Sequence, residues 1–333
     1  VRPSVDGGRY PAKRVAGDVV PIQADIYADG HDLIRAVVSY RTSGEKEFAE
    51  AELELQGNDS WLGHFTVPEI GTYEFKLEAW VDHYDTWVDG LRKKVEVDAE
   101  SDVDLAIGAG LLKAAAARCS RKADRDTIMT AADLFESTSA PLRERAGRAL
   151  EDDLIALVRA RPDRSLATRT ERTYAITVDP PRARFSSWYE MFPRSRFGEE
   201  GGHGTFRDVI ERLDYVAGMG FDVLYLPPVH PIGLAFRKGR NNALVANRTD
   251  PGSPWAIGSP EGGHTAIHPD LGTLDDFRAL VTAADGKGIQ VALDIAFQCS
   301  PDHPWVSEHP AWFVRRPDGT IQYAENPPKK YQD

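Results

Sequence analysis

Amide and cationic side chains are concentrated in three long polar segments in the second half of the 333-residue sequence. The amides can form paired hydrogen bonds with the hydroxyls of a polyol, and lysine or arginine can bind a phosphate. Tryptophan and tyrosine in the same segments offer flat faces on which a sugar ring can stack. These side chains are Asn241, Asn242, Gln298, Asn326, Lys238, Arg240, Lys329, Lys330, Trp255, Trp305 and Tyr331. The set predicts a polyol pocket with a place for a phosphate.

The charge balance narrows the classes of partner that the chain can bind. Acidic residues outnumber basic ones by 52 to 40, which gives a formal net charge of −12. Nucleic acid and anionic membranes bind basic faces, so this balance argues against either as the main partner. A small phosphorylated ligand needs a few well-placed cations rather than a basic protein, and it is compatible with this composition.

Targeting and redox signals indicate a cytoplasmic protein. No apolar run reaches the roughly 18 residues of a membrane span, and residues 1–10 lack the pattern of a secretion signal. Cys119 and Cys299 lie in unrelated contexts, and a secreted disulfide framework would need more cysteines. We expect both to be free thiols, and Cys299 to be inert because no partner base is visible near it.

The first hundred residues have the alternating pattern of short β-strands. Apolar and polar residues alternate between turn signals, as in a β-sandwich. About seven strands are predicted, the last of them at 91–97. Trp61, Trp80 and Trp87 favour core or interface positions, with a sugar-stacking platform as the alternative. Residues 1–100 are therefore predicted to form a β-sandwich domain.

The pattern changes to a helical one over residues 101–165. From Leu142 to Leu154 an apolar residue recurs at every fourth position, which places these side chains on one face of a helix. Alanine-rich stretches at 111–117 and 128–135 predict two earlier helices. Amphipathic helices must cover one another's apolar faces, so this region is predicted to be a small antiparallel helical insert.

Residues 166–333 alternate between continuous apolar strands and amphipathic helices. This pattern is typical of parallel strands covered on both faces by βαβ crossovers. In such sheets the ligand meets the loops that leave the carboxyl ends of the strands. The predicted strands are 183–192, 221–229 and 289–297, and the predicted helices are 205–220 and 273–288. The three polar segments each follow a predicted strand, so the site is expected at that edge.

Two histidines have the spacing of metal ligands on a helix. His264 and His268 are four residues apart, but their segment lacks the glutamate of the zinc-protease motif and runs into Pro269. We therefore predict no metal site there. His303 is interpreted as a residue that orders its loop rather than as a general base.

Several long motifs occur in the order seen in one enzyme family. Three motifs resemble consecutive elements of α-amylase-clan barrels. GFDVLYLPPVHPIG resembles the second strand, DLGTLDDF the helix after it, and VALDIAF the third strand. Similarity to the α-1,4-glucan:maltose-1-phosphate maltosyltransferase family is carried by SSWYEMFPRS, FRKGRNN, PWAIGSPEGGH, QCSPDHPW and ENPPKKYQD. Where clan barrels have Asn-His after the strand that ends at Asp294, this chain has Gln298 and Cys299. That departure counts against a plain amylase.

The resemblance implies a fold of three parts. They are an N-terminal immunoglobulin-like β-sandwich at 1–100, an α-helical insert at 101–165, and at 166–333 the first part, about three βα units, of a (β/α)8 TIM barrel. An open remnant of three parallel strands exposes its edges. We therefore expect either a polypeptide that continues beyond Asp333 or self-association.

Catalytic carboxylates are not assigned within this chain. The family's nucleophile Asp and acid/base Glu are implied at later strands, C-terminal to Asp333, so we expect the chain alone to be inactive. Asp294 is interpreted as a support for loops at its strand end. Glu190 and Asp222 have no better claim to the role of nucleophile.

Seven residues match the family's substrate contacts. Those implied at the maltosyl part of maltose 1-phosphate are Lys238, Gln298, Asp333 and, beside that pocket, Asn242. Those implied at the phosphate side are Asn326, Lys329 and Tyr331.

The implied reaction is a retaining transfer of maltosyl from α-maltose 1-phosphate to the non-reducing end of α-1,4-glucan, with release of phosphate. The resemblance also implies a homodimer and requires no metal or organic cofactor. Two alternatives stay open. One is an α-glucan hydrolase or branching-type transferase of the same clan, and the other is a non-catalytic glucan-binding or dimerisation module.

Overall fold

The chain divides into two compact units, Val1–Ala183 and Arg184–Asp333. A computed structural model describes residues 1–195 and 202–322. Within these residues every helix is too short or too polar to cross a lipid bilayer.

The first unit contains an eight-stranded sheet. Its strand order is β1-β8-β6-β3-β4-β5-β2, and β7 pairs with β6 beside this path. The pairings are antiparallel except for β1 with β8, which run parallel. The strands are β1 Ala12–Val15, β2 Asp18–Asp25, β3 Ile34–Thr42, β4 Ala49–Gly57, β5 Ser60–Val67, β6 Gly71–Val81, β7 Thr168–Arg169 and β8 Tyr174–Asp179.

Alternation along these strands produces one shared core. Ile22 of β2, Phe65 of β5, Phe75 of β6 and Ile176 of β8 belong to the same buried cluster. Successive strand residues point to opposite faces, so every second side chain contributes to this core. Because β2 and β8 lie near opposite ends of the strand order, the sheet folds over on itself.

Five helices in the first unit bury a second core. They are α1 His83–Glu96, α2 Asp102–Ala117, α3 Lys122–Glu136, α4 Leu142–Ala149 and α5 Asp152–Arg159. Leu105, Leu112, Ile128 and Phe135 are fully or almost fully buried among them. The buried guanidinium of Arg145 also donates to the carbonyl of Phe135 (3.0 Å).

The prediction of a strand at 91–97 is wrong, because α1 extends to Glu96. The Asp82 carboxylate caps this helix by accepting from a main-chain N–H of its first turn (3.0 Å). Val88, Leu91 and partly buried Val95 then pack on the helical core with the period of a helix. The alternation of apolar and polar residues alone did not distinguish a strand from a helix in this stretch.

The predicted single helix from Leu142 to Leu154 is also wrong, because the chain breaks between two helices. Leu150 ends α4, and Glu151 has extended backbone angles (φ −74°, ψ 132°) before α5 begins. Arg148 forms an ion pair with Asp153 across the break (2.6 Å).

The three tryptophans of the first unit occupy core positions, as the sequence favoured. Trp61 is 7% exposed and Trp80 is 4% exposed. Trp87 donates from its indole Nε1 to the carbonyl of Asp104 (2.8 Å) and packs against Phe135. These contacts leave no row of open faces for a sugar.

Among the described residues of the second unit, three parallel strands alternate with helices, which confirms the predicted pattern. The sheet order is β11-β10-β9. The elements are β9 Trp188–Glu190, α6 Phe206–Gly218, β10 Val223–Leu226, α7 Leu274–Asp285, β11 Gln290–Leu293 and a short helix, α8, at Trp305–Glu308. Thr205 begins α6 and Thr273 begins α7, each with a reciprocal capping box.

The structure groups residues 166–183 differently from the sequence, which placed them with the third region. β8 pairs with β6 over Gly71–Phe75, and β7 pairs with the same strand, so this segment belongs to the first unit. The helices also share this unit with the sheet. A strand that pairs about a hundred residues away leaves no signal in local spacing.

Candidate functional site

The long loops of the second unit leave the carboxyl ends of the parallel strands. Glu190 ends β9 and is in register with Tyr225 of β10, while Asp294 directly follows β11. Asp222 lies before β10, at the opposite edge, where its carboxylate accepts from the main-chain N–H of Ser187 (2.8 Å). Parallel α/β sheets bind ligands at the carboxyl ends of their strands, which is where these long loops lie.

Asp294 holds a loop at this edge. Its carboxylate accepts from the indole Nε1 of Trp255 (2.7 Å) and from the hydroxyl of Tyr225. Burial, together with this hydrogen bond, raises the pKa of Tyr225 to about 12, so the hydroxyl stays protonated and donates. These contacts support the interpretation of Asp294 as a loop support.

The loop after β10 folds back on itself. A main-chain bridge joins Ile232 to Ile257, and the N–H of Gly233 donates to the carbonyl of Ala256 (2.8 Å). The N–H of Ser300 donates to the carbonyl of Ile257 (2.7 Å). The loop after β11 is therefore bound to the loop after β10.

Lys238 and Asn242 lie together in a tight turn of the β10 loop. Lys238 is half-buried, and Asn242 is exposed in a 3-10 turn, Arg240–Asn242. The N–H of Gly239 donates to the carbonyl of Ala243 (2.9 Å), which closes this turn. Asn242 has a left-handed backbone (φ +61°), a conformation that asparagine tolerates better than most residues.

Gln298 is half-buried on the neighbouring loop, between two residues that are hydrogen-bonded to the β10 loop. The carbonyl of Ala296 accepts from the ring of His264 (2.6 Å). Ser300 is held by the hydrogen bond from its N–H to the carbonyl of Ile257. The structure thus places Lys238 and Gln298 on adjacent loops at one edge of the sheet.

The other predicted contacts lie outside the described residues; they are Asn326, Lys329, Lys330, Tyr331 and Asp333.

The tryptophans of these loops have partners on their faces or edges. Trp255 packs edge-to-face with Phe192 (ring centroids 5.9 Å apart). Trp305 is stacked on His264 with centroids 5.1 Å apart and rings nearly parallel (6°). One face of Trp305 is therefore already covered.

Histidines form a hydrogen-bonded cluster that the sequence reasoning did not identify. His303 is 2% exposed, and Nε2 of its ring lies 2.9 Å from Nδ1 of His264. The main-chain N–H of Trp305 donates to Nδ1 of His303 (3.1 Å). Burial and the neighbouring His264 lower the pKa of His303 to about 4, so this ring is neutral near neutral pH. These contacts support the interpretation of His303 as a residue that orders its loop.

The hydrogen bonds also argue against His264 as a metal ligand, since both of its ring nitrogens have protein partners. Among the described residues, His203, His268 and Asp270 form the group whose possible ligand atoms lie close together, within 4.8 Å. Nδ1 of His268 accepts from the N–H of Asp270 (3.2 Å), and Nδ1 of His203 faces the carbonyl of Gly204 (2.9 Å). Each of these two bonds engages Nδ1 of a ring.

Comparison with known proteins identifies two family models that cover most of the chain. The model described as alpha-1,4-glucan:maltose-1-phosphate maltosyltransferase, domain N/S, matches residues 1–180. The alpha-amylase catalytic domain matches residues 190–332. An α-amylase-like catalytic domain is thus present in part.

Individual relatives agree with these matches. An alpha-1,4-glucan:maltose-1-phosphate maltosyltransferase of Chlorobaculum tepidum is 50% identical over 100% of this chain and 49% of its own length. One of Methylacidiphilum infernorum is 49% identical over 99% of this chain and 49% of its own. A solved alpha-amylase from Lactobacillus plantarum is 35% identical over 43% of this chain and 30% of its own, with a TM-score of 0.36, too low to support an argument.

The chain spans about half the length of the curated relatives it matches. The family model nevertheless covers more than half of this chain, and the relatives match it from end to end. The chain belongs to the α-1,4-glucan:maltose-1-phosphate maltosyltransferase family.

Proposed function

We propose that the complete protein transfers maltosyl groups from α-maltose 1-phosphate to the non-reducing end of α-1,4-glucan and releases phosphate. The observation that carries this proposal is the match of about 50% identity over the whole chain to a relative of that name. The matched residues include the loops at the carboxyl ends of the strands, where a ligand of an α/β sheet is expected.

In this proposal the sugar of the donor binds between the loops that follow β10 and β11. Lys238 supplies an ammonium and Gln298 an amide, two groups suited to hydroxyl oxygens. Asn242 lies beside them on the tight turn of the β10 loop. Asp333 completes the sugar side, and Asn326, Lys329 and Tyr331 bind the phosphate.

The chemistry proposed is a double displacement with retention. A carboxylate attacks the anomeric carbon while phosphate leaves, and the acceptor's 4-hydroxyl then attacks the glycosyl-enzyme. The nucleophile Asp and the acid/base Glu belong to the half of the relatives' length that this chain does not span. The engaged carboxylate of Asp294 supports assigning them elsewhere.

The finer architecture belongs to the same proposal. The folded-over sheet of the first unit is an immunoglobulin-like sandwich, its helices form an insert, and the three parallel strands open a (β/α)8 barrel. The complete protein is a cytoplasmic homodimer. The shared core of β2 and β8 and the parallel order of β9, β10 and β11 support this architecture.

An assay of the complete polypeptide tests the function. Incubation with α-maltose 1-phosphate and a maltooligosaccharide is expected to release phosphate and to lengthen the acceptor by maltosyl units. Added phosphate is expected to drive the reverse reaction, since the leaving group is then a substrate. Free maltose without acceptor lengthening would indicate a hydrolase, and glucan rearrangement without phosphate release would indicate a branching-type transferase.

Variants of the two described sugar contacts sharpen this test. Lys238→Ala and Gln298→Ala are each expected to raise KM for maltose 1-phosphate about 10- to 100-fold, the effect of losing one hydrogen bond in a charged site. Matched controls are Lys46→Ala and Gln56→Ala, whose side chains are exposed in the first unit. Unchanged KM in both loop variants would refute the assigned pocket.

A further inference from the structure

The protons of the His264–His303 pair follow from the hydrogen bonds around it. The carbonyl of Ala296 can accept but not donate, so Nε2 of His264 carries a proton. In a neutral ring Nδ1 of His264 then has a lone pair, and Nε2–H of His303 donates to it (2.9 Å). Nδ1 of His303 accepts from the N–H of Trp305. Three hydrogen bonds are satisfied by two neutral rings.

One further donor faces the pair. The main-chain N–H of His264 lies 3.3 Å from Nε2 of His303, a longer separation than the ring-to-ring bond. Because the Nε2 proton lies along the shorter contact, that nitrogen has no lone pair left for the amide.

The space for this pair depends on Gly263. A Cβ at that position would overlap the ring of His303, and the backbone there is left-handed (φ +52°). Both conditions favour glycine. Asp302 adds a second connection between the loops, because its carboxylate accepts from the N–H groups of Leu234 (2.7 Å) and Ala235 (3.2 Å).

The pair joins the loop after β10 to the loop after β11. His264 belongs to the first loop, and Ala296 and His303 belong to the second. Ala296 and Ser300 bracket Gln298, so the amide lies within a five-residue segment that is bound at both ends. Neither ring can act as a general base in this arrangement, since every ring nitrogen is engaged.

We propose that the neutral His264–His303 pair is a positioning element that holds Gln298 in place for the donor sugar. The expected effect on KM for maltose 1-phosphate rests on the proposed function, whereas the expected effect on hydrogen exchange does not. Loss of the ring-to-ring bond is expected to loosen residues 296–303 and to weaken donor binding. The chemical step is expected to change little, because the pair does not touch the reacting atoms.

Two substitutions at His303 separate the bonds of the pair in the complete polypeptide. His303→Gln keeps an N–H donor at the position of Nε2, and His303→Asn keeps an acceptor for Trp305 but does not reach His264. We expect His303→Asn to raise KM for maltose 1-phosphate about tenfold while kcat stays within about threefold of wild type. For His303→Gln we expect both KM and kcat to stay within about threefold of wild type. His309→Gln, an exposed residue of the same loop, is the control.

Hydrogen exchange of the peptide covering residues 296–303, without ligand, provides the second readout. Exchange is expected to be faster in His303→Asn than in His303→Gln or wild type. If the Asn variant does not fold, His264→Phe replaces it, since a phenyl ring keeps the stack on Trp305 and removes both ring hydrogen bonds.

The outcomes distinguish this inference from the proposed function. Equal exchange in all variants would overturn the pair as a positioning element, and so would loosened exchange with unchanged KM. If wild type does not use maltose 1-phosphate at all, the proposed function fails, and the exchange contrast alone then decides the inference.

Discussion

Gly108 shows how one missing side chain sets the packing of two helices. A Cβ at this position would overlap the indole of Trp87, which is fixed by its bond to the carbonyl of Asp104. Gly108→Ala is therefore expected to destabilise the fold by about 1–3 kcal/mol through overpacking, although alanine gains up to about 1 kcal/mol of helix propensity. Urea denaturation followed by circular dichroism measures the difference.

Gly110→Ala is the matched control on the same helix. A Cβ at Gly110 meets nothing within 4 Å, so propensity acts alone and the substitution is expected to stabilise by up to about 1 kcal/mol. The pair of variants should therefore differ in sign. Equal effects at Gly108 and Gly110 would contradict the steric explanation.

Single residues were predictable from the sequence when their type carried the information. Lys238 and Gln298 were identified from amide and cationic types in strand-end loops and from the resemblance, and both lie in those loops. The His264–His303 pair was not predictable, because 39 positions separate the two rings and no spacing rule links them. Their contact depends on two loops that only the sheet brings together.

The capping box of α7 makes this helix sensitive to acid. Hydrogen bonds from the hydroxyl and main chain of Thr273, with a smaller contribution from Arg207, lower the pKa of Asp276 to about 2. A lowered native pKa means that the ionised cap stabilises the fold above the ordinary pKa of Asp. This stabilisation is lost as pH falls through about 4 toward 2.

Asp276→Asn is expected to flatten the change of the urea midpoint between about pH 2 and 4, since the titrating group is gone. Asp275→Asn is the control, because this exposed neighbour also lies in the first turn but caps no N–H that the structure records. If the pH dependence of the urea midpoint stayed unchanged in Asp276→Asn and disappeared in Asp275→Asn, Asp275 rather than Asp276 would be the source of the acid sensitivity.

Helices and strands were predictable from the sequence where one period of apolar residues dominated. β6 alternates cleanly through Tyr73, Phe75 and Leu77, and α7 lies within the amphipathic helix predicted at 273–288. The prediction failed at 91–97, where apolar residues fit both a strand and a helix. The deciding feature was the Asp82 cap, nine residues upstream, which extends α1 through this stretch.

At the scale of the molecule, the sequence predicted the parallel sheet but not the boundary between the units. The strands β10 and β11 lie in largely apolar runs, a local feature. In contrast, β8 joins the first sheet through a long-range pairing with β6, which no local pattern encodes. Contacts of this kind become predictable only when the partner strand is known.

The edge of the second sheet predicts how the 333-residue chain behaves when produced alone. Within the described residues β11 is an edge strand, and just beyond it Ile295 is 73% exposed and Phe297 is 92% exposed. Unpaired strand groups beside exposed apolar side chains promote association between copies. We expect light scattering to show oligomers whose mass rises with concentration.

The double substitution Ile295→Lys and Phe297→Lys should reduce this association, because charge disfavours edge pairing, whereas the exposed Leu55→Lys in the first unit should not. A discrete monomer of the unsubstituted chain at all concentrations would contradict this account of the edge.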